Sequence, residues 1–72
     1  MTPFPQRLRE VRVLRGKKLK EAAACLDIQV RSYQAYERGE REPGVQALIV
    51  LADFFNVSLD YLLGRTDTDP NL

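Results

Sequence analysis

The sequence has 72 residues, of which 44% are hydrophobic and 29% charged, enough for one domain with a modest core but little room for a deep catalytic pocket. It contains no histidine and one cysteine, Cys25, which argues against a zinc site, an internal disulfide and a histidine-assisted nucleophile; we expect no metal, no cofactor and no enzymatic activity. The net charge is +1, but residues 1–41 carry ten of the eleven Lys and Arg against five acids, and residues 42–72 carry one against five, which favours one basic face over a chance clustering of solvated charges.

A first helix is predicted from about Pro5 to Arg15, because proline is tolerated in a first turn and the apolar spacing that follows is helical. Its expected core face consists of four residues spaced by four, three and three: Phe4, Leu8, Val11 and Leu14. Gly16 is predicted to end the helix in the left-handed conformation.

A second helix is predicted over about Lys18–Cys25 and a third over about Val30–Glu37, separated by a short break at residues 27–28. The expected inward stripe of the second helix is Leu19, Ala22, Ala23 and Leu26. Gly39 is predicted to close the third helix, and Pro43 with Gly44 marks the next boundary.

A fourth helix follows, with Asn56 as its left-handed cap. Its expected apolar positions are Val45, Leu48, Ile49, Ala52 and Phe55. Ser58 is predicted to cap a short fifth helix, Leu59–Leu63, which Gly64 stops. We expect residues 65–72 to form a flexible C-terminal tail to a single domain over residues 1–64.

Helices this short are not stable alone in water, so the five are expected to pack as an all-α bundle. The second and third helices, joined by a short turn, fit the helix-turn-helix unit that binds DNA. The longest apolar stretch, residues 47–52, is too short to cross a bilayer, and the N-terminus lacks the layout of a signal peptide. We therefore expect a cytoplasmic protein without membrane contacts.

Two sequence blocks resemble the Cro/repressor-like (XRE-type) helix-turn-helix family. The run Tyr36-Glu37-Arg38-Gly39 with Arg41-Glu42-Pro43 is similar to the end of that family's recognition helix, and residues 51–64 are similar to its last two helices. Arg7-Leu8 and Arg12 also fall where the family's first helix has them, and the match covers about residues 5–64 without gaps. The resemblance implies a lambda-repressor-like five-helix domain whose third helix enters the major groove.

The resemblance also implies which side chains face the bases: Gln29, Val30, Arg31, Gln34 and Ala35. Their chemistry is partly suitable. Arg31 could donate two parallel hydrogen bonds to guanine, and Gln29 or Gln34 could pair with adenine. Val30 and Ala35 could only contact a thymine methyl group, and Ala35 could instead serve only as a helix former.

Expected phosphate contacts come from four basic residues: Lys18, Lys20, Arg38 and Arg41. Such contacts supply affinity rather than sequence information and make binding depend on salt. Lys18 and Lys20 lie near the start of the second helix, where free N–H groups attract anions, although both could also belong to a solvated helix face. Arg12 and Glu37 match positions that form a structural ion pair between the first and third helices in the family.

Several residues depart from the family pattern within the helix-turn-helix unit. Leu19 stands where a phosphate-bracing Gln is common, and Asp27 where the turn has Gly. Gln29 replaces the usual Ser or Thr cap, which should weaken the start of the third helix by ~1 kcal/mol. Ala22 is smaller and Tyr33 larger than usual, and we expect the tyrosine ring to fill the space that the alanine leaves.

The resulting hypothesis is a sequence-specific regulator, expected to be a homodimeric repressor on a double-stranded DNA operator, because one short helix reads too few base pairs for specificity. The expected dimer surface is the last helix, with some members in the core: Leu59, Tyr61, Leu62 and Leu63. An antitoxin-like or adaptor module that binds a protein on the same fold is the alternative, which the departures in the third helix and the acidic second half motivate.

Overall fold

The computed structural model describes residues 2–69 and 71, and within them the chain forms five α-helices and no strand. The helices are α1 Phe4–Leu14, α2 Leu19–Cys25, α3 Val30–Glu37, α4 Val45–Phe55 and α5 Leu59–Leu62. The predicted all-α, five-helix architecture is confirmed, and the bounds predicted for α1, α2, α3 and α5 are met to within one residue at each end. In the described part of the chain, no helix is long and apolar enough to cross a membrane.

The helix ends follow local backbone chemistry. Asp27 and Asn56 both adopt φ of +56°, the left-handed region that short polar side chains tolerate better than other non-glycine residues. Ser58 caps α5, since its hydroxyl accepts a hydrogen bond from the Tyr61 backbone N–H at 3.1 Å. Gln29 makes no side-chain cap at the start of α3, so that end of the helix depends on packing for its order.

The core is assembled from all five helices and the turn before α5. Its buried apolar residues are Leu8, Val11, Ala22, Ala23, Tyr33, Leu51, Ala52, Phe55, Val57 and Leu62. Tyr33 and Ala22 are both fully buried in this cluster, which fits the expectation that the large ring occupies space beside the small side chain. Tyr36 packs at the edge, with its ring centroid 6.3 Å from that of Tyr33 in an edge-to-face arrangement.

Three predicted core positions are wrong. In α1 the side chain of Leu14 is 58% exposed, and in α4 those of Val45 and Ile49 are 73% and 39% exposed. Leu51, which the predicted stripe of α4 omits, is fully buried. The reason is helical phase: Leu48, Leu51, Ala52 and Phe55 share one side of α4, whereas Ile49 lies about 100° round the helix from Leu48. Val45 and Leu14 lie at helix ends, with no core layer over them.

Arg7 joins the chain's two ends, a contact that the sequence does not predict. Its guanidinium, almost fully buried, donates to the backbone oxygens of Tyr61 and Thr66 and to Asp67, at 2.6–2.8 Å. It also lies 4.1 Å from the centroid of the Tyr61 ring. The segment after α5 is therefore packed against α1 at residues 66 and 67.

Asp69 makes a second contact between this segment and the domain. Its carboxylate accepts hydrogen bonds from the backbone N–H groups of Ser58 and Asn71, and the Ser58 bond above all lowers the pKa of Asp69. The predicted flexibility of residues 65–72 concerns motion and stays a prediction; residues 70 and 72 of that range lie outside the described chain.

Candidate nucleic-acid interface

Helix α3 buries one side and presents the other to solvent. Tyr33 anchors it in the core, and α3 packs against both α1 and α2. Because successive residues are about 100° apart round a helix, burial of Tyr33 turns Arg31, two residues earlier, to the opposite side. Gln29 and Val30 are accessible because they form the N-terminal end of α3. Gln29 and Arg31 are exposed and Val30 is 37% exposed. The start of α3 therefore offers a polar surface on a rigid helix.

The five predicted base-reading residues do not all share that surface. Gln34 is half-buried and faces the depression between α3 and α1, one turn beyond Arg31. Ala35 is only 8% exposed, so its methyl group offers almost no area to a thymine. We correct its assignment to a packing residue of α3. Gln29, Val30 and Arg31 remain the candidate reading face, and Gln34 lies at its border with the depression.

The predicted phosphate-binding cations lie on the surface around the reading face. Lys18, Lys20 and Arg41 are exposed. Arg38, just after α3, has its Nε 3.4 Å from Glu40 Oε1, and both side chains are more than half exposed. Exposed pairs of this kind contribute little and are screened by salt, so Arg38 is available to an anion.

The predicted ion pair between Arg12 and Glu37 is present and links α1 to the last turn of α3. Arg12 Nε lies 2.7 Å from Glu37 Oε2, and Arg12 Nη2 lies 3.2 Å from Glu37 Oε1. The two side chains are only 13% and 8% exposed, and the hydrogen bond from Arg12 to Glu37 raises the arginine pKa. Arg12 Nη1 also donates to the backbone oxygen of Lys17 at 3.1 Å. One guanidinium therefore binds both α3 and the segment that precedes α2.

The Tyr33 hydroxyl lies buried near this pair. Its oxygen has no hydrogen-bond partner of good geometry among the described residues. Burial raises the pKa of Tyr33, and the neighbouring Glu37 carboxylate adds to that increase. The tyrosine therefore stays neutral and acts as a core side chain.

An open depression of about 380 Å³ separates α1 from α3. Its lining residues are Arg9, Arg12, Leu19, Gln34, Glu37 and Arg38. Arg9 is a lining residue that the sequence does not predict for the site. The signal that could have found it is its position in α1, one turn before Arg12, which places both arginines on the side of the helix that faces α3.

A second depression, of about 320 Å³, lies between the α2–α3 turn and α4. It is lined mainly by apolar side chains, among them Leu26, Ile28 and Val50. Cys25 borders it as a half-buried thiol whose Sγ donates to the Ala22 oxygen at 3.0 Å, and burial raises the cysteine pKa. Cys25 is thus a packed helix thiol, and no side chain of the described residues lowers its pKa.

The predicted dimer residues divide between surface and core. Leu62 is fully buried, so it is a core member of the set and not an interface residue: its side chain lies beneath α5. Tyr61 is half-buried with its ring against Arg7, Leu63 is half-buried, and Leu59 is 38% exposed.

Residues 8–62 match the family model described as helix-turn-helix. The chain is 42% identical over 62 residues to the HTH-type transcriptional regulator ImmR of Bacillus subtilis, covering 86% of this chain and 49% of that protein. It is 36% identical over 66 residues to the cryptic phage CTXphi transcriptional repressor RstR of Vibrio cholerae, covering 92% and 59%.

A solved structure is similar as well: a transcriptional regulator from Listeria innocua superimposes with a TM-score of 0.78 at 34% identity, covering 85% of this chain and 57% of that one. This chain therefore spans about half to three-fifths of the length of the relatives it matches.

Proposed function

Because the chain belongs to the helix-turn-helix family, a class of DNA-binding proteins rather than enzymes, we propose that it binds double-stranded DNA and regulates transcription, with α3 in the major groove. The observation that carries the proposal is the outward face of α3. Gln29, Arg31 and Gln34 supply the guanidinium and amide groups that pair with base edges, and the surrounding cations supply phosphate contacts. The name of the RstR repressor, with similarity over 92% of this chain, favours repression over activation.

We propose further that the protein binds as a homodimer in the cytoplasm, where its operator lies. One α3 reads too few base pairs for genomic specificity, whereas two copies on half-sites one helical turn apart read twice as many. Leu59, exposed on α5, and the half-buried Leu63 and Tyr61 are the candidate contacts. Leu62 is left out because it is buried within the monomer.

Selection from a random duplex pool tests this function, and Arg31→Ala tests the reading face. We expect an inverted repeat to be enriched. Arg31→Ala should weaken binding to it by ~1–3 kcal/mol, or about 5- to 150-fold, with smaller loss on unrelated duplex, because a guanidinium that pairs with a guanine edge contributes mainly to discrimination. Titration of labelled duplex by fluorescence anisotropy measures both affinities.

Arg65→Ala is the matched control. Arg65 is also an exposed arginine, 70% exposed and 3.8 Å from Asp60, but it follows α5 rather than α3. It should leave the operator affinity unchanged. If no motif is enriched and neither variant alters duplex binding, the operator proposal is wrong, and the alternative of a protein-binding module on this fold takes its place.

A further inference from the structure

The depression between α1 and α3 holds more positive charge than the protein itself neutralises. Three of its lining side chains are guanidiniums, from Arg9, Arg12 and Arg38, and one is a carboxylate, from Glu37. Glu37 is already bound through both oxygens by Arg12. Arg9 is therefore left facing an open space without a counter-charge, and Arg38 has only the exposed carboxylate of Glu40, 3.4 Å from its Nε.

The Arg9 side chain has no ion pair or hydrogen bond within residues 2–69 and 71. Its acidic neighbour Glu10 is engaged elsewhere: Oε1 lies 3.4 Å from Arg7 Nε, and Oε2 accepts from Gln6 Nε2 at 3.2 Å. Arg9 is exposed, so keeping it charged and solvated costs little. An arginine that stabilises nothing in its own domain is available to an external anion.

The other lining residues, Leu19 and Gln34, indicate which kind of anion fits the depression. Leu19 is apolar and offers no side-chain hydrogen bond, whereas the Gln34 amide can donate one. A guanidinium presents parallel N–H donors that match the oxygens of a phosphate, and two arginines on opposite walls can hold the same group from both sides. Gln34 also borders the candidate reading face, so a duplex that meets α3 brings its sugar–phosphate backbone to this edge.

We propose that Arg9 on α1 and Arg38 after α3 hold one backbone phosphate of the bound duplex at the mouth of this depression. This inference rests on the proposed function. It assigns a DNA contact to α1. The contact of Arg9 with the phosphate takes the place of the contact that a hydrogen-bonding side chain at position 19 would make. We call Arg9 and Arg38 together the phosphate clamp. Because a phosphate contact carries no sequence information, the clamp strengthens binding to operator and unrelated duplex alike.

The test is the salt dependence of duplex binding for Arg9→Ala, Arg9→Lys and Arg65→Ala. Each phosphate neutralised on B-DNA contributes about 0.9 to the slope of log affinity against log salt. Arg9→Ala should lower that slope by about 0.9 and weaken binding about fivefold at about 0.15 M salt, on both operator and unrelated duplex. Arg9→Lys should keep most of the slope, and Arg65→Ala should keep all of it. Circular dichroism checks that each variant is folded.

The outcomes separate the clamp from the function. If the parent protein binds duplex with a steep salt slope and Arg9→Ala leaves slope and affinity unchanged, the clamp is wrong and DNA binding stands. If Arg9→Ala only abolishes a thermal shift given by inorganic phosphate, the depression is a free-anion site and the clamp is likewise wrong. If the parent protein binds no duplex at any salt concentration, the function itself fails.

Discussion

Arg12→Ala lowers the free energy of unfolding by about 3–5 kcal/mol, a large fraction of the total stability of a domain of this size. The loss exceeds the net contribution of the ion pair to stability, because Glu37 is only 8% exposed in the parent protein and the substitution removes the partner of its buried carboxylate. It also removes the donor to the Lys17 backbone oxygen. Urea denaturation followed by circular dichroism measures the change.

The control replaces both charges with apolar side chains. Arg12→Met combined with Glu37→Leu removes the pair without leaving either charge unpaired, so its stability should return to within about 1–2 kcal/mol of the parent. Its DNA affinity should nevertheless fall, since the ion pair no longer fixes the orientation of α3 against α1. A loss below about 1 kcal/mol for Arg12→Ala alone would contradict this account and make the pair a solvent-screened contact.

Leu51→Ala lowers the free energy of unfolding by about 3 kcal/mol, within the range for fully buried leucines that leave a cavity. Leu51 is fully buried between the helices, among the largest buried side chains of the core. Val45→Ala is the matched control on the same helix. Because Val45 is 73% exposed and alanine favours a helix more than valine does, its effect should lie within about 0.5 kcal/mol.

The same denaturation experiment compares the two variants directly. A larger loss for Val45→Ala than for Leu51→Ala would mean that α4 is rotated relative to the packing described above. That result would support the core positions that the sequence predicts for α4, which include Val45, and would contradict the structure.

The buried side of α4 could not be predicted from the sequence, although the end of the helix could. Asn56 ends the helix through its own backbone preference, which is a local signal. Residues 47–52 are apolar on every side of the helix, so the period does not single out one core face. Packing against α2 and α5 decides that Leu51 is buried and Ile49 is not.

Some residues of the candidate site could likewise be predicted from the sequence, whereas others could not. Arg31 and Gln34 could be placed on α3 from the resemblance, because the block at residues 36–43 fixes where the recognition helix ends; their reading roles stay a prediction. Ala35 could not be placed, since its burial depends on how α3 is seated. Arg7 looks like an ordinary surface arginine in sequence, but it bonds to residues 54 to 60 positions away. No local pattern predicts such a contact.

Mapping backbone amide shifts of the folded chain as duplex DNA is added tests the central claim most directly, with the selected operator as the duplex. The account predicts that the largest shifts fall on residues 29–34, on Arg38 and Arg41, and on Arg9, and that residues 65–69 shift little. Shifts confined to the apolar depression beside Cys25 and Val50, or none at a DNA excess that saturates a micromolar site, would contradict the claim that α3 docks on DNA.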